Sequence, residues 1–438
     1  MKLLVFAHVP PPHHGQSYMV ELMLEGFGKA TSSTPTALGD TGIQCFHVDA
    51  RFSSSLEDIG GIRPGKIFRL FELCAAAIRL GLEHGIDSLY FVPAPAKRSA
   101  VVRDWLVLGI LRLFFRNIIL HWHAYGLGHW AGSMIEHPAG PTADSMPPPR
   151  LFGRLDPLAR ALTRFIYRHC PLSISLTKYN ARDAEVFSPR TSVVVPNGIP
   201  DQCGSSFPNV LAARQERLRT RRDLTEGRSL VVPASTFDLL YLAHCTREKG
   251  LFTAMEAVSL ANARLQTRGC GYRIRLHIAG SFPSKQDQKE YTRLLEESPE
   301  ARQTFLYYGH VGGSEKATLL ADADALIFPT FFQPETFGLV LLEALSFGLP
   351  IIATRWRGIP EIVPPHFAHL AAPGDSATLV QAILTSTDFE DFQSLRNLYL
   401  ENYTLDKFWR RLASAIQAAG HERRALKSED RPYRAPDR

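Results

Sequence analysis

The sequence alternates short apolar runs with segments of helical length, and this alternation restricts the fold more than any other feature. The runs are continuously apolar, as in "LLVFAHV" at 3–9. Strands of this kind are buried on both faces, which is typical of parallel sheets covered by helices. They lie at 3–9, 43–50, 88–94, 117–123, 172–177 and 192–197 in the first half, and at 238–245, 274–280, 304–310, 325–330, 350–355 and 367–373 in the second.

The two sets of strands predict two domains, because a chain of 438 residues exceeds what one hydrophobic core usually holds. We expect an α/β protein with two doubly wound, Rossmann-like domains that face each other across a cleft and bind ligands at the carboxyl ends of their strands. The predicted segments are a first domain at 1–200, a linker at 201–236, a second domain at 237–405, and at 406–438 a C-terminal helix that packs back toward the first domain and ends in a frayed tail. The charges of the Arg-rich linker are interpreted as the solvated face of a helix.

Composition excludes several classes of protein. With 45% hydrophobic and 21% charged residues the chain is an ordinary globular one, and its net charge of +6 favours anionic ligands or a membrane surface over nucleic acid. The six cysteines have no CxxC spacing, which predicts free thiols without a zinc site or disulfides. The longest apolar run, at 105–115, contains Arg112 and is shorter than the roughly 20 residues of a spanning helix. These features predict a cytoplasmic protein.

Two glutamates stand in the apolar stretch "QPETFGLVLLEALSFGLP" at 333–350. Glu343 lies in the middle of a predicted helix with almost no other polar residue, and a buried carboxylate needs partners. Glu335 stands just before that helix. We predict that both carboxylates accept hydrogen bonds from ligand hydroxyl groups. The alternative is that Glu343 lies on the polar stripe of an amphipathic helix and Glu335 in an ordinary loop.

The start of this helix is a predicted anion site. Thr336 is a plausible N-cap, which leaves the backbone N–H groups of Phe337, Gly338 and Leu339 without intrahelical acceptors. Free N–H groups at a helix N-terminus attract phosphate or sugar oxygens, and a glycine there allows close approach. A nucleoside diphosphate sugar has hydroxyl groups at both ends and an anion between them, so it fits this pattern.

The same residues resemble a known family. "FPTFFQPETFGLVLLEALSFGLPIIATRWRGIPEIV" is similar to the donor-site signature of glycosyltransferase family 4, which are retaining, nucleotide-sugar-dependent enzymes of the GT-B fold. Other segments follow in the order of that family: "LYLAHCTREKGL" at 240–251 resembles its phosphate-binding strand and loop, "RLHIAGSF" at 275–282 its next strand, and "VVVPNGI" at 193–199 the end of its N-terminal domain.

The resemblance implies roles for the donor-binding residues. Glu343 would bind the ribose hydroxyl groups, Glu335 would act on a hydroxyl of the transferred sugar, and the amides of Phe337, Gly338 and Leu339 would serve sugar and diphosphate. Lys249 would neutralise the diphosphate as the glycosidic bond breaks. A fixed cation stabilises such a leaving group without a metal, so neither a metal nor a cofactor is expected.

One position departs from the family pattern. Ala243 and His244 stand where the family usually has Gly and Arg before the lysine. An imidazole that is largely neutral at pH 7 binds a diphosphate more weakly than a guanidinium does. Arg247 lies close by in the sequence and is the predicted substitute.

The first half contributes a glycine and a histidine. "HVPPPHHGQSYMVELM" at 8–23 resembles the family's first glycine-rich loop, in which Gly15, before a helix expected near Ser17, would approach the donor diphosphate or the acceptor. The alternative is a glycine needed only for backbone shape.

In "LHWH" no further ligand cluster accompanies the two histidines, so a metal site is not expected. The resemblance places His123 beside the donor sugar near the reacting carbon and leaves His121 as a core histidine.

The resemblance implies that the chain moves a hexose, with retention, from a UDP- or GDP-sugar to a glycan or lipid-linked acceptor in cell-surface polysaccharide or glycolipid biosynthesis. The first domain would bind the acceptor and the second the nucleotide sugar. A nucleotide-sugar 2-epimerase and a non-catalytic nucleotide-sugar-binding protein are the alternatives. The basic apolar helices predicted at 63–82 and 103–117 either rest on an anionic membrane or pack on their own sheet.

Overall fold

The computed structural model describes residues 1–11, 14–27, 41–51, 64–132, 150–226, 228 and 235–429, without the side chains of 64–67 and 421–429. The chain divides into two compact units. The first contains the described residues up to Gly198 and from Leu405 onward, and the second is Ile199–Thr404.

The first unit is built on a six-stranded parallel sheet of order β2-β1-β3-β4-β5-β6. The order reverses between β1 and β3, as expected of a doubly wound sheet. Its strands are β1 Lys2–Ala7, β2 Gln44–Asp49, β3 Ser88–Phe91, β4 Asn117–Trp122, β5 Leu172–Ser175 and β6 Thr191–Val194. Its helices are α1 Gly15–Phe27, α2 Pro64–His84, α3 Arg98–Leu111, α4 Leu127–Ala131, α5 Asp156–Tyr167, α6 Lys178–Glu185 and the C-terminal α16 Leu405–Glu429.

The second unit has a six-stranded parallel sheet of order β12-β11-β10-β7-β8-β9. Counted from its first strand this is the 3-2-1-4-5-6 order of dinucleotide-binding folds, with the switch point between β7 and β10. Its strands are β7 Ser235–Leu242, β8 Tyr272–Ala279, β9 Phe305–Gly309, β10 Ala325–Phe328, β11 Ile351–Thr354 and β12 Ala368–Ala371. Its helices are α7 Phe207–Thr225, α8 Leu251–Thr267, α9 Lys285–Glu296, α10 Pro299–Thr304, α11 Gly313–Asp322, α12 Leu339–Ser346, α13 Ile359–Ile362, α14 Ser376–Ser386 and α15 Phe392–Asn402.

The strands confirm the prediction of two doubly wound α/β domains. Every residue of the inner strands β3, β4, β10 and β11 is buried, which is why their runs are continuously apolar. The edge strands β6 and β9 have partly exposed residues because an edge strand has a neighbour on one side only. Helices cover each sheet and enclose a separate apolar core.

The segment expected as a linker contains α7, and the interpretation of its charges as a solvated face is wrong for three arginines. Arg214 is completely buried, and its guanidinium donates to the carbonyl oxygens of Ala323, Phe347, Gly348 and Leu320 at 2.9–3.3 Å. Arg217 and Arg221 each lie 2.9 Å from the buried carboxylate of Asp324. Burial lowers the pKa of Arg214 to about 10. These arginines attach α7 to the second unit by satisfying carbonyl and carboxylate groups that would otherwise be buried without donors.

The C-terminal helix α16 packs against α1 in the first unit. The indole Nε1 of Trp409 donates to the carbonyl oxygen of Leu22 at 2.7 Å, and its ring lies where a Cβ on Gly26 would be, 2.2 Å away. The last eighteen residues were expected to fray, which is wrong for 421–429, because α16 continues to Glu429; residues 430–438 lie outside the described residues. All six cysteines are unpaired, and all but Cys270 are buried. Within the described part of the chain, no helix combines the length and apolarity needed to cross a membrane.

Candidate functional site

The loops that follow β7 and β10 are locked together at the switch point of the second sheet. The carbonyl oxygen of Glu248 accepts hydrogen bonds from Phe331 N at 2.8 Å and Thr330 Oγ1 at 3.4 Å. Gly250 has a φ of 85°, and a Cβ there would lie 2.3 Å from the carbonyl oxygen of Pro329, so only glycine fits. The backbone thus holds Lys249 against the loop that carries Glu335.

Lys249 and Glu335, two of the predicted site residues, form an ion pair. Lys249 Nζ donates to Glu335 Oε2 at 2.5 Å, and the two side chains are only 17% and 11% exposed. The ammonium group also lies 4.5 Å from the centre of the Phe332 ring, within cation–π range. A cation and a carboxylate therefore stand together at the carboxyl ends of adjacent strands, where open α/β sheets bind ligands.

Glu343 has a partner that sequence reasoning missed. Lys316, on α11, donates from Nζ to Glu343 Oε1 at 2.6 Å, with side-chain exposures of 21% and 12%. The positive charge of Lys316 explains how the Glu343 carboxylate can lie in an apolar helix. Nothing in the segment "GSEKATLL" distinguishes Lys316 from an ordinary surface lysine, because the contact depends on where α11 packs.

The helix start was predicted at the wrong residue. The structure begins α12 at Leu339 with Gly338 as N-cap, and not near Thr336. Gly338 has a φ of 76°, and a Cβ there would lie 3.0 Å from the Phe328 ring, so the chain turns sharply before the helix. Among the predicted amides, that of Leu339 is in the first turn, whereas those of buried Phe337 and of Gly338 precede it.

Arg247 and His244 have different surroundings. The guanidinium of Arg247, which is 59% exposed, lies 2.6 Å from Glu290 on α9. His244 Nδ1 lies 3.3 Å from Ser281 Oγ. Burial, and then the charges of Lys249 and His310, lower the pKa of His244, so the imidazole is neutral at pH 7. Lys249 is thus the charged group beside His244, and Arg247 is engaged by a carboxylate.

A cluster of histidines occupies the carboxyl edge of the first sheet. The structure begins α1 at Gly15, and not near Ser17, with Tyr18 N donating to the carbonyl oxygen of His14 at 3.0 Å. The Ser17 N–H also donates to His14 Nδ1 at 3.3 Å, which assigns the His14 proton to Nε2. That Nε2 lies 2.7 Å from His8 Nε2 and donates to it.

His121 lies near the end of β4, and His123 directly follows that strand. His121 is fully buried, and its Nδ1 lies 2.6 Å from the Tyr90 hydroxyl, whereas its buried Nε2 has no hydrogen-bond partner among the described residues. Burial, followed by the charges of His14 and His8, lowers the pKa of His123 to about 3. Burial, followed by His14, lowers that of His8 to about 4. The described residues include no group of three or more His, Cys, Asp or Glu arranged to hold a metal ion.

Part of the chain is similar in sequence to known glycosyltransferases. Residues 226–393 match the family model described as "Glycosyl transferases group 1". The putative colanic acid biosynthesis glycosyltransferase WcaL of Salmonella typhimurium is 25% identical over 201 residues, which are 43% of this chain and 47% of WcaL. The sulfoquinovosyl transferase SQD2 of Arabidopsis thaliana is 33% identical over 116 residues, 25% of this chain and 21% of SQD2. The chain thus spans less than half the length of these relatives.

Solved structures extend the likeness to nearly the whole chain. HepE of Anabaena in complex with UDP has a TM-score of 0.59 at 15% identity, covering 95% of this chain and 100% of that one. Sucrose-phosphate synthase from Thermosynechococcus elongatus has a TM-score of 0.61 at 15% identity, covering 98% and 100%. These similarities establish the fold, which is GT-B, with its two Rossmann-like domains. The second unit contains the segment matched by the glycosyl transferases group 1 model.

Proposed function

We propose that this protein is a glycosyltransferase that moves a hexose from a nucleoside diphosphate sugar to a glycan or lipid-linked acceptor. The observation that carries the proposal is the Lys249–Glu335 ion pair, 2.5 Å long, at the switch point of the second sheet. Support also comes from the named relatives and from HepE, whose structure is a complex with UDP. The base is uracil or guanine in this proposal.

The chemistry follows from the charges at this point. As the bond between the sugar C1 and the phosphate oxygen breaks, the diphosphate leaves with the electron pair, and Lys249 stabilises the negative charge that develops. Glu335 accepts a hydrogen bond from a sugar hydroxyl and positions the ring. We propose that the acceptor oxygen then bonds to C1 on the face that the diphosphate leaves, and gives its proton to the diphosphate. This route retains the configuration without a carboxylate nucleophile or a metal.

Apart from Arg247, whose guanidinium is paired with Glu290, the remaining predicted residues keep their roles as proposals. The carboxylate of Glu343, oriented by Lys316, is proposed to bind the ribose hydroxyl groups, and the N–H groups before and within the first turn of α12 to bind sugar and diphosphate oxygens. His123 is held neutral by burial, so it offers a hydrogen bond rather than a charge. Gly15 starts α1, and it is proposed to bring its backbone close to the donor diphosphate or the acceptor.

The second candidate is a non-catalytic protein that holds a nucleotide sugar without turning it over. The observation that favours it is His244, which is neutral in the position where the resembled family has a charged arginine. Such a site has one cation, Lys249, where the resembled family has a lysine and an arginine. One cation is enough to bind the diphosphate, but it stabilises less of the negative charge that develops in the transition state, so the reaction would be slower.

For the acceptor we propose a glycan of the cell surface or a lipid-linked glycan, with peripheral contact between the protein and an anionic membrane. The words "colanic acid biosynthesis" in the name of WcaL support a polysaccharide. SQD2 is named a sulfoquinovosyl transferase, and its similarity supports sugar transfer without identifying this chain's donor.

The decisive experiment is ligand-induced thermal stabilisation with UDP, GDP, ADP and their common sugars. A ligand at 100 times its dissociation constant adds about 2.7 kcal/mol of stability. One nucleotide should stabilise the wild type, and E343A should lose the response, whereas E361A, a glutamate on the neighbouring α13, should keep it. Stabilisation with transfer or slow donor hydrolysis supports the enzyme, and stabilisation without turnover supports the binding protein. No stabilisation of the wild type by any nucleotide would refute the proposed function.

A further inference from the structure

Exposed apolar side chains are concentrated on one group of helices in the first unit. Helix α3 packs between α2 and α5, and the inner faces of α2 and α3 are buried against the sheet. The outer faces of α2, α3 and α5, with the turn after α3 and the turn before α5, leave ten large apolar side chains in water. They are Phe68, Phe71, Leu82, Leu106, Leu113, Phe114, Leu155, Leu158, Leu162 and Phe165, with exposures from 36% for Leu106 to 80% for Leu113.

The charge exposed on α3, α5 and the turns beside them has one sign, whereas α2 also carries the exposed carboxylates of Glu72 and Glu83. Segments 97–116 and 150–168 carry ten lysines and arginines in total, at 97, 98, 103, 112, 116, 150, 154, 160, 164 and 168. Their acidic residues are Asp104 and Asp156, which are 0% and 6% exposed. Asp104 accepts hydrogen bonds from Ala94 N and Tyr167 Oη, and Asp156 from Phe152 N. The surface that α3 and α5 present is therefore apolar and basic, with both carboxylates turned inward.

A pocket with a basic lining adjoins this face. It has a volume of about 240 Å³ and its polar lining comes from Arg112, Arg116, His169 and Arg190, which we call the basic pocket. Arg116, His169 and Arg190 come just before β4, β5 and β6, so the pocket lies at the amino edge of the first sheet. The carboxyl edge, with His8 and His123, is the opposite one, so the basic pocket is distinct from the candidate sites described above.

Two arginines of the basic pocket, Arg116 and Arg190, are exposed to solvent. Arg112 is occupied, because it donates to the carbonyl oxygens of Phe165, Ile166 and Arg168 at the end of α5. Throughout the described residues, no carboxylate lies within ion-pair distance of Arg116 or Arg190. Asp87 also lies at this edge, before β3, but it accepts from the Ser88 hydroxyl.

The apolar residues nearest the pocket belong to the same turns. Leu113 and Phe114 directly follow Arg112, and the hydrogen bond from Arg112 to the Phe165 carbonyl places the end of α5 beside them. We call these three exposed side chains, Leu113, Phe114 and Phe165, the apolar rim. Arg168 lies over the Phe165 ring at 4.3 Å, so a charged head and an apolar body stand together, as in side chains at a membrane interface.

We propose that the basic pocket binds the phosphate of an anionic phospholipid headgroup while the apolar rim enters the acyl layer of the same membrane. The proposal rests on the membrane contact proposed above and names the surface that makes it. Arginine suits phosphate because its planar donors match the oxygens, and a bilayer supplies the anion and the apolar phase side by side. A soluble phosphate would use the pocket but not the rim, and a second protein copy would use the rim but bring like charge to the arginines.

The test is co-sedimentation of the full chain with vesicles of phosphatidylcholine, with and without phosphatidylglycerol. The wild type should sediment with the anionic vesicles only. R116Q/R190Q should bind them at least about tenfold more weakly, since each basic residue near such a surface contributes about fivefold. R264Q/R268Q removes the same charge from two exposed positions, one on α8 and one directly after it, and should bind like the wild type. L113S should weaken binding, and L260S, a 44% exposed leucine on α8, should not.

Three results would overturn the proposal. The first is wild-type binding that phosphatidylglycerol does not increase, or R116Q/R190Q binding as tightly as R264Q/R268Q. The second is a protein that ignores the vesicles but is stabilised by glycerol phosphate through Arg116 and Arg190, which would define a soluble phosphate site. The third is a dimer in the absence of lipid that L113S dissociates. Stabilisation by nucleotides, measured on the same samples, keeps this proposal separate from the proposed function: either can fail while the other holds.

Discussion

Lys249 and Glu335, 86 residues apart in the chain, are joined by an ion pair of 2.5 Å in which both side chains are more than four-fifths buried. The pair gives each group a counter-charge in the absence of ligand, which lowers the cost of keeping two ionised groups away from water. A diphosphate that approaches Lys249 therefore competes with Glu335 for the ammonium group. Two measurable consequences follow, one for stability and one for binding.

K249M should destabilise the protein by about 3 kcal/mol, because it leaves the Glu335 carboxylate buried without a counter-charge. The double variant K249M/E335Q should recover much of this loss, because neither charge is then unpaired. Urea unfolding of the wild type, both single variants and the double variant gives the coupling energy. A loss in the double variant equal to the sum of the two single losses would show that the two charged groups do not stabilise each other.

The same variants should separate binding from catalysis. K249M should weaken UDP or GDP binding by tenfold or more, as expected for loss of a charge-assisted hydrogen bond worth about 1.5–3 kcal/mol. E335Q should bind the nucleotide at least as well as the wild type, because Lys249 is released, yet transfer the sugar more slowly. Calorimetric titration with the nucleotide, beside a transfer assay, checks both. An E335Q protein that loses nucleotide affinity as K249M does would contradict separate roles.

Glu343 should recognise ribose. E343Q should lose about tenfold in affinity for the nucleoside diphosphate but less for its 2′-deoxy analogue, because the analogue lacks the 2′-hydroxyl group that donates a hydrogen bond to the carboxylate. K316M should show a smaller loss of the same selectivity, since Lys316 orients Glu343 from 2.6 Å without being required to touch the ligand. Affinities for the two nucleotides, measured for each variant, test this. Equal losses of affinity for both nucleotides would show that Glu343 does not recognise the 2′-hydroxyl group of the ribose.

Stability should fall on the acid side of pH 6.5 because of the histidine cluster. Unfolded histidines take up protons near 6.5, whereas folded His8 and His123 do so only at about 4 and 3. Between these values the unfolded state binds more protons, so the free energy of unfolding decreases as pH falls, by about 1.4 kcal/mol per pH unit for each histidine. Urea unfolding from pH 7 to pH 5 should show this slope, and H8Q should reduce it. An identical slope in H8Q would exclude His8 as a contributor.

The buried arginine of α7 should be essential for the second unit. R214M removes the donor for four carbonyl groups and should cost about 3 kcal/mol or more, since buried acceptors lose their partner. R219M, on the same helix but with a side chain 73% exposed, should change stability by less than about 0.5 kcal/mol. Urea unfolding of both variants gives the comparison. Similar small effects would mean that α7 is attached by its apolar residues alone.

His244 offers a test of the departure from the family pattern. H244R should restore a charged donor beside Lys249 and tighten diphosphate binding by about tenfold, if the new guanidinium reaches the phosphates as the resembled pattern implies. R247Q, which removes a guanidinium engaged by Glu290, should leave nucleotide binding unchanged. Titration of both variants with the nucleotide is the measurement. A large loss in R247Q would show that Arg247 leaves Glu290 when the ligand binds.

The sequence alone determined the two sheets, because a strand buried on both faces must be apolar throughout and the helices between such strands make them parallel. It also determined that Lys249, Glu335 and Glu343 are candidates, since their neighbours carry the resemblance. Tertiary structure decided the pairing: Lys249 with Glu335, Glu343 with Lys316, and Arg247 with Glu290. Side chains from distant segments of the chain come into contact only in the packed fold, so the spacing of residues in the sequence does not predict these ion pairs.

The misplaced start of α12 has the same physical reason. Thr336 has the chemistry of an N-cap, but the Phe328 ring packs against Gly338, whose positive φ delays the helix to Leu339. Likewise, Arg214 has the local pattern of a solvated residue and becomes a core residue because unpaired carbonyl groups of the second unit face it. Local propensity specifies which conformations cost little, and only the packed surroundings show which polar groups remain to be satisfied.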